Sequence, residues 1–271
     1  MTAPPTMQAC ARLGFAALLA VVAAPPSFAG CGGSGSGAMS YGDNARKAYA
    51  DALEQFYDDD CFEAEPMLRN VRKQFPYTRF AALADLRIAD CALKSGKYAE
   101  AIEAYNQFVR YRPSHPEVPY ARFMAAEANF EQIPSEWLLS PPAYERDQRY
   151  AQESLRLLRR FVLDFPDDPL VARAQQMAER VVKLLAAHEM YVAKFYFDRD
   201  HPRAAAGRLN TLLRSYPGTS YDPDALFLLG QSYERMHDDK GARRAFKELI
   251  ARYPRHERAE QARDELSELG G

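Results

Sequence analysis

The side chains best suited to chemistry in this 271-residue chain are four cysteines, Cys10, Cys31, Cys61 and Cys91, and five histidines, His115, His188, His201, His237 and His256. Thiolate and imidazole hold zinc when they recur at short fixed spacing, yet no CxxC pair is present and no two histidines lie three to five apart. His188-Glu189 is the nearest approach to HExxH, and the second histidine is missing. Neither a GxSxG nucleophile turn nor a GxxxxGK[ST] phosphate loop occurs. Gly30, Gly32 and Gly35 spell a formal GxGxxG, but no strand precedes it and no helix opens on it, so it cannot cradle a pyrophosphate. The acidic runs Asp58-Asp59-Asp60 and Asp167-Asp168 read as solvated turns and helix starts, which carboxylates favour. No catalytic residue, metal or cofactor is expected, and the chain is read as not an enzyme.

Composition narrows the partners. Lys plus Arg number 35 against 37 Asp plus Glu, a net charge of −2, so no broad positive field exists for nucleic acid. With 47% hydrophobic and 27% charged residues the chain packs a core and is not disordered as a whole.

One cysteine has a chemistry of its own. Residues 13–24 form a 12-residue apolar stretch behind Arg12, the size of a secretory h-region and too short to span a bilayer. It ends in Ser27-Phe28-Ala29-Gly30-Cys31, which resembles a bacterial lipobox, the pattern whose cysteine thiol is diacylated before cleavage. Ser27-Phe28-Ala29 would also suit an ordinary signal peptidase cutting before Gly30, without lipid. Each buried methylene contributes about 0.8 kcal/mol, so the several acyl chains of a lipoprotein anchor durably where one does not. Residues 1–30 are thus expected to be the signal peptide, and 31–42 a lipidated Cys31 with a Gly/Ser tether. Gly32 behind the cysteine resembles the outer-membrane sorting pattern, so the protein is expected at the cell outer membrane, facing the periplasm.

From residue 43 onward, apolar positions recur at helical spacing with no sustained alternation, so the chain is all-α. One pattern repeats five times: a small residue, apolar or aromatic residues four and seven later, and proline twelve later. The instances are Ala64, Leu68, Val71, Pro76; Ala101, Tyr105, Phe108, Pro113; Ser154, Leu158, Phe161, Pro166; Ala205, Leu209, Leu212, Pro217; and Ala242, Phe246, Leu249, Pro254. The helix preceding each is marked most fully by Leu226, Leu229, Gly230 and Tyr233. This looks like the tetratricopeptide repeat, and the predicted fold is a right-handed superhelical solenoid of five helix hairpins with a C-terminal capping helix over 257–269. Repeats one to three occupy 43–166, with a loop at 133–147 that carries the single Trp137. Repeats four and five with the cap occupy 167–271, the first helix of repeat four running long, from about 170 to 197.

Inward-facing residues on the first helix of each hairpin are the usual peptide surface of such repeats. Here they include Tyr49, Leu53, Phe56, Asp90, Lys94, Phe123, Glu127 and Phe130, although aromatic residues also serve simply to pack hairpins together. Cys61 and Cys91 fall at helix ends on the same side of the stack. After export they are either a disulfide or two buried, unpaired thiols.

The lipobox, the tether, the five repeats and segments such as Gln74-Phe75-Pro76-Tyr77-Thr78 and 188–196 together resemble the BamD family, lipoprotein subunits of the outer-membrane β-barrel assembly (Bam) complex. The resemblance implies a non-catalytic scaffold. Repeats one to three would receive the carboxy-terminal strand of unfolded outer-membrane protein precursors, and repeats four and five would dock on the POTRA domains of the barrel subunit, in company with the other Bam lipoproteins. Arg208 would be the ionic contact to POTRA, and its reversal to Glu is expected to break docking and leave the fold intact. The alternative is another periplasmic repeat adaptor, either a Tol-Pal associated coordinator or a secretin pilotin.

Overall fold

The computed structural model describes residues 39–134 and 141–270. The signal peptide, Cys31, the tether as far as residue 38 and Trp137 lie outside the described residues. The described chain is a run of antiparallel helix hairpins: α1 (Tyr41–Tyr57) and α2 (Cys61–Gln74), α3 (Arg79–Lys94) and α4 (Tyr98–Tyr111), α5 (Val118–Phe130) and α6 (Arg149–Asp164), α7 (Val171–Asp198) and α8 (Pro202–Ser215), α9 (Asp222–Arg235) and α10 (Asp239–Arg252). The final helix, α11 (Glu257–Glu268), packs on both helices of the last hairpin, burying Ala259 and Ala262. Each helix packs on the next in the chain, so the core is a continuous stripe rather than a single centre. α1 begins two residues inside the segment expected to be tether, because the Ser40 hydroxyl caps it, accepting from the Asp43 amide at 3.2 Å.

The repeating pattern is the core. Its small residue, Ala64, Ala101, Ser154, Ala205 or Ala242, is fully buried in every repeat, as are the residues four and seven later. The second helix of each hairpin ends two residues before its proline, and the residue between closes the last turn with its amide on the carbonyl four back, at 2.8–2.9 Å. Proline clashes with a helical residue before it, which is why Phe75, Arg112, Phe165, Tyr216 and Tyr253 all leave the helical region at ψ 47–62°.

The turn inside the hairpin repeats as well. Asp59, Gly96, Asp200 and His237 occupy one equivalent position and share a left-handed backbone, φ 57–71°. At each, the next amide reaches the carbonyl five residues back, the Schellman closure. The third hairpin replaces this turn with its long loop. Its described end forms a single 3-10 turn, Ala143–Glu145, that lies against α7. The Tyr144 carbonyl stands 2.6 Å from His188 Nδ1, and the Tyr144 ring meets Tyr191 at 5.6 Å. The 28-residue α7 is therefore long enough to hold both its own hairpin and the returning loop.

Cys61 and Cys91 are bonded to one another, with Cα atoms 5.3 Å apart, joining the start of α2 to α3 across the first two repeats.

Candidate functional site

The inner face of repeats one to three is built differently from the aromatic groove read in the sequence. Tyr49, Phe56, Asp90, Phe123 and Glu127 are buried, Leu53 and Phe130 are half-buried, and only Lys94 is open to solvent. Phe123 is fully enclosed, and Asp90, Phe56, Glu127 and Tyr49 keep only 4–8% of their surface, so these five offer a peptide little direct contact, in contrast to the open aromatic groove expected. The physical reason is that cations from neighbouring helices lie over the rings. Arg87 stands 5.6 Å from the Phe56 ring and 5.2 Å from Tyr120, Lys94 Nζ 4.3 Å from Phe56, Arg173 5.3 Å from Phe123 and Arg180 4.8 Å from Phe130. What faces outward is a row of cationic groups on an aromatic floor.

Asp90 fixes the centre of this floor. One carboxylate oxygen accepts from the Tyr105 hydroxyl at 2.6 Å and from Tyr120 at 2.9 Å, and the other accepts from Arg87 at 2.5 Å. Burial raises the Asp90 carboxyl above its usual range, although Arg87, both tyrosines and Lys94 pull the other way. The Tyr105 and Tyr120 hydroxyls are pushed up, first by burial and then by the Asp90 charge. Burial opposes the charge on Arg87, but Asp90 and Tyr120 outweigh it and hold the guanidinium ionised. Lys94 is steadied by Asp59 at 2.6 Å. Further along, Glu127 pairs with Arg173, while its Oε2 is buried without a hydrogen-bond partner. Burial is the first cause raising the Glu127 carboxyl.

Arg87, Arg173 and Arg180 went unread in the sequence. Arg87 was legible in principle, since three residues before Asp90 on one helix is the spacing of a side-chain ion pair. Arg173 and Arg180 reach across from α7, a relation between repeats that local spacing does not reveal.

Arg208 lies on the exposed side of α8, with Nη1 3.4 Å from Glu189 Oε2 on α7. Half-buried Tyr216 is raised by burial and then by the Glu189 charge, against Arg159, which places these groups in one neighbourhood. Arg159 donates to the Ser215 carbonyl at 3.2 Å. Around Tyr216, Leu155 and Leu185 floor a depression of about 480 Å³ rimmed by Arg156, Arg159 and Arg160. Among the described residues no group of three His, Cys, Asp or Glu side chains could hold a metal ion. No described helix is long and apolar enough to cross a membrane.

The profile of a family described as "YfiO: Outer membrane lipoprotein" matches residues 42–245. The chain belongs to this family. That span runs from α1 into α10 and includes Asp90, the cationic row and Arg208. Among relatives within it, the outer membrane protein assembly factor BamD of Caulobacter vibrioides is 27% identical over 220 residues, 80% of this chain and 70% of the relative. The protein of the same name from Neisseria meningitidis serogroup B is 26% identical over 214 residues, 78% of this chain and 80% of the relative. A third, from Xylella fastidiosa, is 27% identical over 195 residues, 71% of this chain and 67% of the relative.

Proposed function

We propose that this chain is a non-catalytic adaptor in outer-membrane protein assembly, anchored by lipid on Cys31 and working through two faces of its solenoid. The observation that carries the reading is membership of the YfiO outer-membrane lipoprotein family over residues 42–245, with relatives named as outer membrane protein assembly factors. Chemistry on the two faces supports a division of labour. The row of Arg87, Lys94, Arg173 and Arg180 over aromatic rings suits an extended segment with aromatic side chains and a free carboxylate, which is what the carboxy-terminal strand of an unfolded β-barrel precursor offers. Arg208 and the arginine-rimmed depression beside Tyr216 suit an acidic surface, and in this reading they dock on the POTRA domains of the barrel subunit. The other Bam lipoproteins would join the same assembly.

The test is affinity purification of the full-length protein from detergent-solubilised envelopes, followed by quantitative mass spectrometry. Near-equal recovery of a POTRA-containing barrel protein is the expected result. Recovery of Tol, Pal or a secretin in its place would replace this reading with another envelope adaptor.

A further inference from the structure

One edge of the solenoid carries exposed tyrosines that neither face uses. It is the edge where α1 begins, α2 and α4 end and α3 begins. Tyr41, at the start of α1, donates its hydroxyl to the Gln74 carbonyl at 3.1 Å and sets its ring 5.2 Å from Phe75, which fixes the beginning of the described chain beside the end of α2. Asp85 bonds Arg72 at 3.1 Å and Arg112 at 2.8 Å, which brings the end of α4, with Tyr111, alongside the end of α2. Tyr77 stands in the link between α2 and α3. Tyr41, Tyr77 and Tyr111 are 51%, 95% and 73% exposed. Lys73 and Arg79 flank them, exposed and without an ion pair among the described residues. Asp43 and Asp85 at this edge are each paired with arginine.

We propose that this edge rests on the phospholipid surface, with Tyr41, Tyr77 and Tyr111 at the headgroup level and Lys73 and Arg79 on anionic headgroups. The proposal depends on the anchoring at Cys31 read above. Cys31 and Met39 are eight positions apart in the sequence, and that length of chain reaches at most about 28 Å. Tyrosine is a side chain that partitions to the bilayer interface, with its ring in the apolar boundary and its hydroxyl in the headgroups, and basic residues add attraction to an anionic leaflet. Tyr57 and Phe62 are also exposed, but at the opposite end of α1, about 25 Å from its start.

The experiment uses the full chain extracted from cell envelopes and reconstituted into vesicles of phosphatidylethanolamine and phosphatidylglycerol containing brominated acyl chains. Tyr77→Trp, Tyr111→Trp and, as the opposite-edge control, Tyr57→Trp are each made with Trp137→Phe, and helical content is checked by circular dichroism. Tryptophan at 77 and at 111 is expected to be quenched at least about twofold more than at 57. Equal quenching at the three positions, or none at 77 and 111, would assign the edge to solvent or to a partner protein and overturn the proposal. The mass of the extracted protein reports the anchor separately: absence of lipid on Cys31 overturns the anchoring and the proposal with it, whereas lipid present without selective quenching overturns the proposal alone.

Discussion

The guanidinium of Arg208 lies 3.4 Å from the carboxylate of Glu189, and the two are unequally placed: Glu189 is 5% exposed, whereas the Arg208 side chain is 44% exposed. Arg208 therefore does two things at once, neutralising a buried carboxylate on α7 and presenting its remaining N–H groups outward. Reversing its charge sets a second carboxylate beside Glu189, so Arg208→Glu is expected to carry a stability cost alongside any change in docking. The variant is expected to lose about 1–3 kcal/mol, a figure reduced from that of a fully buried pair because solvent reaches the arginine. The double variant Arg208→Gln, Glu189→Gln removes both charges and is expected to melt near the parent while losing the outward cation. Thermal melts of both, run beside partner recovery, separate folding from docking.

The Cys61–Cys91 bond closes a sequence separation of 30 residues and ties repeat one, which among the described residues has a neighbouring repeat on one side only, to repeat two. Reduction is expected to cost about 2–4 kcal/mol and to expose α1 and α2 to protease before the rest. Limited proteolysis with and without dithiothreitol checks this. An unchanged pattern of cleavage would show that packing alone holds the first hairpin.

The left-handed turn position predicts opposite responses to two substitutions. Nothing stands within 4 Å of a Cβ placed on Gly96, so Gly96→Ala loses only its backbone freedom, about 1 kcal/mol. His237 holds the same conformation with a side chain, φ 58°, and His237→Gly is expected to gain about 0.5–1 kcal/mol. Paired chemical denaturation curves decide it.

Glu234 sits at the end of α9 with its carboxyl pushed up to about 6, by burial first and then by Glu265 and Glu268 on α11 and Asp239 on α10. A carboxyl raised in the folded state binds its proton more tightly there than in the unfolded chain. Its favourable contribution is complete below the unfolded value and is lost as pH rises through about 6. Glu234→Gln should therefore stabilise the protein at neutral pH, by less than ~1 kcal/mol after allowance for solvent screening, and should have little effect near about pH 4. Melting curves across that range supply the check.

The parts of the fold legible from sequence were those set by local chemistry. The interval from small residue to proline marks where one helix crosses another and where it must stop, and Ala64, Tyr105, Phe161, Leu209 and Phe246 are all buried as that pattern requires. The long α7 was equally visible as uninterrupted helical periodicity. The inner face was not, because whether Phe123 lines a groove or lies beneath Arg173 depends on a contact between helices 50 residues apart in sequence. Buried Asp222 escaped notice for a related reason. It looks like an ordinary helix start, yet it accepts from the amides of Gly218 and Thr219 and from the Tyr253 hydroxyl, organising the link between repeats four and five.

The central claim is that the chain serves the assembly of outer-membrane proteins, and depletion in the living cell tests it most directly. Expression would be placed under a repressible promoter, and the folded fraction of β-barrel proteins in outer-membrane preparations followed by heat-modifiable gel mobility, with other lipoproteins as the internal control. A fall in folded barrels that precedes any change in those lipoproteins is the predicted result. Barrels that persist at full level through depletion, while secretin multimers or envelope constriction fail, would contradict it.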